Sequence, residues 1–222
     1  MLLPYPGVLM RRRLMIAIVP LAVVVAACGS GASDVVSYTD PDKLSLVNLP
    51  TEWHTYEIAE LSALEDVPFA EPYQGFDYPA VSSLAFDGAP ARNVSNITNS
   101  LAVVDFPIGA MSVRTVGDVE RQYLNRAALS QSILPYFQFL DSQEHVREDF
   151  SFGDGYDGVR VLVSYVDDTG AEVGIAYLIS VTDPADNRMY SIVAGCSRDC
   201  YITNQVEIER VVDSWLVNKK AS

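Results

Sequence analysis

Hydrophobic and polar positions change period along this chain, and each change marks an expected element. Between Thr115 and Pro135, the residues Val116, Val119, Tyr123, Ala127, Ser130 and Leu134 recur at three- and four-residue steps. That spacing places them in one stripe of an amphipathic helix. Thr115 is its expected cap, with Asp118 three residues on, and Pro135 ends it. From Val146 the chain turns to strands, and beyond Gly158 the period is two. Val159, Val161, Val163 and Tyr165 alternate with Arg160 and Ser164, then Val173, Ile175, Tyr177, Ile179 and Val181 line one face of the next strand. Turn residues separate these stretches at Gly153–Gly158, Asp167-Asp168-Thr169-Gly170 and Asp183–Asn187, and Met189–Cys196 follows as a further strand. Sequential strands joined by short turns make an antiparallel meander. A last helix is expected with Asn204 as cap, Glu207 at its third position, and Ile208, Val211, Val212, Trp215 and Leu216 on one face.

The earlier half is less regular. Trp53, Tyr56 and Ile58 partly alternate with polar residues and predict a strand that opens the folded domain after Pro50. Between Leu61 and Pro90, four prolines (68, 72, 79 and 90) stand among Phe69, Tyr73, Phe76, Tyr78 and Phe86. Prolines at that density break helices and central strands, so a long loop with one short strand near Val81–Phe86 is expected. Its five aromatic rings are the candidate binding surface, against the alternative that they cap the open face of the sheet. Leu101, Val103 and Val104, before Pro107, predict a core strand over Asn99–Phe106.

The strongest apolar run lies at the start. Arg11-Arg12-Arg13 precede Leu14–Val25, a segment shorter than the ~20 residues a membrane span requires, and Gly29-Ser30-Gly31 ends it. A cationic stretch, a short apolar core and small residues at the cut describe a secretory signal, with Met10 read as the true start. The segment Val25-Ala26-Ala27-Cys28 resembles the bacterial lipobox. That resemblance implies a diacylglycerol on the Cys28 thiol, cleavage before Cys28, acylation (palmitate) of the new amine, and residence at the extracytoplasmic face of the cell membrane. Residues 28–49 are expected as a lipid-anchored tether and 50–222 as one globular domain.

Charge narrows the partners. Removing residues 1–27 takes away three arginines and no acid, leaving 12 basic and 29 acidic side chains, a net −17. A surface this acidic is repelled by nucleic acid and by an anionic bilayer surface alike, so both are poor partners for it, and no nucleic acid is expected.

Candidate chemistry is sparse. Cys196 and Cys200 enclose Ser197-Arg198-Asp199, and export makes a disulfide the first reading. A redox pair lacks its usual two-residue spacing, and a zinc site lacks two further ligands. His54 reads as structural, beside Trp53 in a strand. His145 lies in the charged stretch Ser142–Asp149, read as a solvated link, and no Gly-x-Ser-x-Gly elbow accompanies it. Asp154, Asp157, Asp167 and Asp168 could hold calcium but lack the spacing of a loop that wraps the ion, so turn usage is the expectation. No cofactor or metal is expected.

The C-terminal third carries a second resemblance. A strand ending in Cys196, a short loop to Cys200-Tyr201, and a helix running from Ile208 to Asp213-Ser214-Trp215 resemble actinobacterial secreted lipoproteins of the Mog1/PsbP-like, LpqN-type family. The resemblance implies an α+β fold, an antiparallel sheet flanked by helices in an α/β/α sandwich. It also implies a non-enzymatic binding or accessory role toward a small apolar ligand or an envelope protein, and it transfers no catalytic residues. The alternatives are an envelope hydrolase with an unrecognised site and a structural subunit of an envelope complex.

Overall fold

The computed structural model of the chain describes residues 34–39, 43, 45–57, 60, 80–98, 104–123, 129, 141–152, 156–183 and 187–217, all within the unit Ser33–Ser222. Strands β1 (Val35–Thr39), β2 (Ser45–Pro50), β3 (His54–Glu57), β4 (Ala80–Asp87) and β5 (Ile108–Thr115) come first, with a 3-10 turn at Val94–Thr98. Helix α1 (Asp118–Tyr123) follows, then β6 (Asp141–Phe152), β7 (Tyr156–Val166), β8 (Glu172–Asp183) and β9 (Arg188–Ser197). Helix α2 (Arg198–Asp213) and the two-residue strand β10 (Leu216–Val217) close the chain's described part.

Seven strands form one antiparallel sheet in the order β3-β4-β5-β9-β8-β7-β6. Three more form a small sheet, β1-β2-β10. The result is the expected α+β fold built on antiparallel pairing. Strand β9 is central and buried along nearly its whole length. A strand covered on both faces reads as a continuous apolar run, and Met189–Cys196 is one, with Ser191 excused by a 2.7 Å bond between its Oγ and that of Ser112 on β5.

Two cores lie on opposite faces of the large sheet. One joins Met111, Val113, Ile179, Val181 and Ile192 to Val47 and Leu49 of β2 and to Ile208, Val211, Val212 and Trp215 near the chain's end. The other joins Val159, Val161, Val163, Tyr165, Ala176 and Leu178 to Ile97 of the 3-10 turn and to the helical residue Leu129. Strand β8 thus buries both faces, rather than the single face its alternation suggests. An extra residue in β8, where Tyr165 pairs with Gly174 but Val166 with Glu172, turns Val173 onto the face opposite Ile175.

Several expectations are corrected. Residues 35–50 are not tether: β1 and β2 are strands, Val47 and Leu49 are fully buried, and the fold reaches back to Asp34, whose carbonyl accepts from the Thr51 amide at 2.8 Å. Val104–Phe106 are not strand; the strand lies after Pro107, in β5. Thr115 is the last residue of β5 and caps nothing, and the helix opens at Asp118. The charged stretch Ser142–Asp149 is not a link but part of edge strand β6, where acids and Arg147 oppose pairing with another chain. Helix α2 starts at Arg198, not after Asn204, which sits inside it and donates from Nδ2 to the Cys200 carbonyl at 2.9 Å. Leu216 is exposed on β10 instead of lying in the helix stripe.

Close packing of β9 against its two neighbours depends on two glycines, Gly109 on the β5 side and Gly195 on the β8 side. A Cβ on Gly109 would stand 2.3 Å from the Val193 carbonyl oxygen and 2.4 Å from the Phe86 ring; one on Gly195 would stand 2.2 Å from the Ile175 carbonyl oxygen. Gly109→Ala is expected to lose about 2 kcal/mol through overpacking and to melt about 5 °C lower, read by circular dichroism. An unchanged melting temperature would show that the β5–β9 seam can open to admit a methyl.

Candidate functional site

The structure separates the sequence-predicted site residues. Cys28, Phe69, Tyr73, Phe76 and Tyr78 lie outside the described residues. Phe86 is described and is core: fully buried on β4, it stacks on Trp53 with ring centroids 5.7 Å apart, so it offers no surface to a ligand. Cys196 and Cys200 are joined as a disulfide with Cα atoms 5.9 Å apart, fastening the end of β9 to the first turn of α2.

Of the four candidate calcium aspartates, Asp154 lies outside the described residues. Asp157 accepts from Ser151 Oγ at 2.6 Å across the β6–β7 turn. Asp167 Oδ1 accepts from the Thr169 hydroxyl at 2.6 Å and from the amides of Thr169 and Ala171 at 2.8 and 3.0 Å. Those bonds, led by the hydroxyl, hold its carboxyl below the ordinary range and spend its oxygens on closing the β7–β8 turn. No three His, Cys, Asp or Glu side chains gather as a metal site among the described residues.

Three polar clusters emerge that the linear pattern does not display. In the first, His145 Nε2 lies 2.8 Å from Ser164 Oγ and 3.1 Å from Glu172 Oε1, and Arg198 Nε lies 3.6 Å from Glu172 Oε2. The residue types are those of a serine hydrolase, but the geometry is not. A catalytic imidazole faces the serine with one ring nitrogen and the acid with the other. Here both partners converge on Nε2, so a proton shared with Glu172 leaves that nitrogen no lone pair for the serine. Ser164 is also fully buried within β7. The cluster ties the edge strand β6 to β7, β8 and the start of α2.

The second cluster centres on Asp87, fully buried at the end of β4. Its Oδ2 accepts from Tyr56 Oη at 2.7 Å and Asn96 Nδ2 at 3.1 Å, while Oδ1 accepts from the Ala89 amide at 3.0 Å. Arg92 lies over the Tyr56 ring, 4.6 Å from its centroid, pairs with Glu60 and donates to the Thr55 carbonyl at 3.0 Å. Burial first, and the Asp87 carboxylate second, push the Tyr56 hydroxyl up to about 12. The third runs between β7, β8 and α2, where Arg160 pairs with Asp213 at 2.6 Å and lies over the Tyr177 ring, whose hydroxyl donates to Glu209 at 3.3 Å.

No family model matches the chain, and no curated protein matches it in sequence. Solved structures do. Cyanobacterial PsbP (CyanoP) from Synechocystis sp. PCC 6803 superposes with a TM-score of 0.52 over 88% of this chain and 99% of its own, at 11% identity. The fold is Mog1/PsbP-like. The Saccharomyces cerevisiae Ran-binding protein Mog1p aligns at a TM-score of 0.48 over 84% of this chain and 96% of its own, at 8% identity. LpqN, involved in cell envelope biogenesis of Mycobacterium tuberculosis, aligns at 0.43 over 86% of this chain and 88% of its own, at 11% identity. Identities this low speak to the fold alone.

Within this Mog1/PsbP-like frame, sequence reading missed Ser164, Glu172 and Asp87. Alternation shows Ser164 facing away from Val163 and Tyr165, but the β6 bulge that brings His145 to it has no local signal. Asp87 before Gly88 reads as turn chemistry, and only β3–β4 pairing delivers Tyr56 to it.

Two outcomes follow from this geometry. A fluorophosphonate probe is expected to leave Ser164 unmodified in the folded protein, read by peptide mass spectrometry; an adduct there would establish it as a nucleophile. Tyr56→Phe is expected to cost about 1–3 kcal/mol at pH 7, because buried Asp87 loses a donor. In the unfolded chain the Tyr56 hydroxyl ionises near its ordinary 10, and in the folded chain near 12. Its contribution is therefore complete below pH 10 and lost as pH rises toward 12. Thermal melts of the variant should accordingly fall less steeply across that window; identical alkaline slopes would remove Tyr56 from the account.

Proposed function

We propose that this chain is an extracytoplasmic lipoprotein, held at the cell membrane through acylated Cys28, whose domain serves as a non-enzymatic binding or accessory module for another envelope protein. The observation that carries the binding role is the connection between β3 and β4. These neighbouring strands pair directly at the edge of the large sheet, from His54↔Asp87 to Glu57↔Leu84, yet residues 58–79 intervene between them. A tight turn would suffice to join such a pair, and long connections in compact domains are commonly functional. This one carries Phe69, Tyr73, Phe76 and Tyr78, which are the proposed contact residues.

The polar clusters support the non-enzymatic part, since each is arranged as a structural tie. The described residues include no helix long and apolar enough to cross a membrane, in keeping with attachment through a lipid. The fold shared with CyanoP leaves the class of partner open, and the connection between β3 and β4 is what supports a protein contact.

Cys28→Ser is expected to abolish incorporation of an alkyne-tagged fatty acid and to move the protein out of the membrane fraction; retained label would defeat the anchor. Cross-linking on intact cells is expected to give one discrete adduct that disappears in the folded triple variant Tyr73→Ala, Phe76→Ala, Tyr78→Ala. An adduct that persists would reject residues 58–79 as the contact.

A further inference from the structure

The small sheet β1-β2-β10 has an inner face in the core and an outer face that is exposed at Val35, Ser37, Thr39 and Leu216 and buried at Pro50, the partner of Val35. Cross-strand partners share a face, so Val36, Tyr38, Val47, Leu49 and Val217 point inward, while Val35, Ser37, Thr39, Leu46, Asn48 and Leu216 point outward. Val35 is 51% and Leu216 58% exposed, and Val36 is 40% exposed at the free edge. Half of the exposed large apolar residues among those described therefore belong to this three-stranded sheet. Its orientation is fixed: the Ser214 hydroxyl at the end of α2 accepts from the Asn48 amide at 2.9 Å and donates to the Val211 carbonyl at 2.7 Å.

We infer that this outer face rests on the lipid bilayer. The inference depends on the lipid-anchor reading and adds to it which side of the domain meets the membrane. Only residues 29–33 separate Cys28 from Asp34, where the fold begins. Even fully extended, a stretch of that length spans at most about 20 Å, whereas a compact domain of about 190 residues measures about 40 Å across. The start of β1 must then lie on the membrane side of the domain.

Charge agrees with this placement. The mature chain carries 26 acids against 9 bases in residues 51–213, but three of each in residues 28–50 and 214–222 together. The bases there are Lys43, in the β1–β2 turn, and Lys219 and Lys220, two and three positions beyond β10. They are all the lysines of the chain. Strand β10 runs toward that same turn, since Val217 pairs with Ser45. An anionic bilayer surface repels the acidic remainder and tolerates this balanced part.

Because every lysine of the chain lies within three positions of β2 or β10 along the sequence, amine chemistry reads the contact. The full-length lipoprotein is reconstituted into phosphatidylethanolamine–phosphatidylglycerol vesicles and treated with a membrane-impermeant N-hydroxysulfosuccinimide ester. Lys43, Lys219 and Lys220 are then expected to react several-fold more slowly on vesicles than in detergent. A glyoxal reagent at Arg147, on the far edge strand, should react equally in both. Mass analysis of the Cys28 peptide is made on the same sample. Acylated Cys28 with slowed lysines supports the inference. Acylated Cys28 with equal lysine rates overturns the orientation and leaves the anchor standing. Unmodified Cys28 in a protein that does not bind vesicles overturns both.

Discussion

Pairing of β9 with β5 is the constraint on which the rest of the molecule depends. Strand β9 follows β8 through a short turn, so that side of its ladder forms locally. Its other side waits for β5, whose Ile108 finds Gly195 and whose Thr115 finds Arg188 across a long stretch of chain. Only after that closure does the sheet acquire two complete faces and hence two cores. Gly109 lets the β5 and β9 backbones and the Phe86 ring approach at the seam, while Gly195 lets β9 approach β8. The β5–β9 contact carries a large loop-closure cost, which the burial of Ile192, Val193 and Ala194 must offset.

Helix α2 and the small sheet then cover one face as a unit. The Cys196–Cys200 disulfide fixes where the helix leaves β9, and Ser214 fixes where it meets β2. Between those points Ile208, Val211 and Val212 fill the core. The helix therefore links the centre of the large sheet to β2.

Polar groups inside the fold act as fasteners. Asp87 gathers donors from β3, from the chain just after β4 and from the 3-10 turn, and His145 bonds across the bulge of an edge strand. Asp87 is fully buried and meets its partners at hydrogen-bond distance, as the cost of an unpaired buried polar group demands, while His145 is exposed and bonds to buried Ser164. Residue types that resemble catalytic sets are arranged here for cohesion. Chemistry has to be judged from which ring nitrogen faces which partner, not from composition.

The α+β class rests on the family resemblance, while the sequence by itself determined the meander, the Ile208, Val211 and Val212 stripe of the last helix, the strand near Val81–Phe86 and the pairing of Cys196 with Cys200. These follow from local period and short-range turns, where nearest neighbours carry the information. Tertiary structure decided the rest. Val47 and Leu49 look like scattered apolar residues in a polar leader until α2 and the large sheet bury them. Charged β6 looks like a link until β7 supplies its ladder. Helix α2 starts early, at N-cap Ser197, whose side chain makes no capping bond, and the disulfide holds its first turn to the end of β9. Ser164, His145 and Glu172 lie on three strands and meet through a bulge, and Phe86 turns from a surface ring to core because Trp53 and Gly109 stand beside it. Long-range pairing fixes such positions, and a linear pattern records only the near ones.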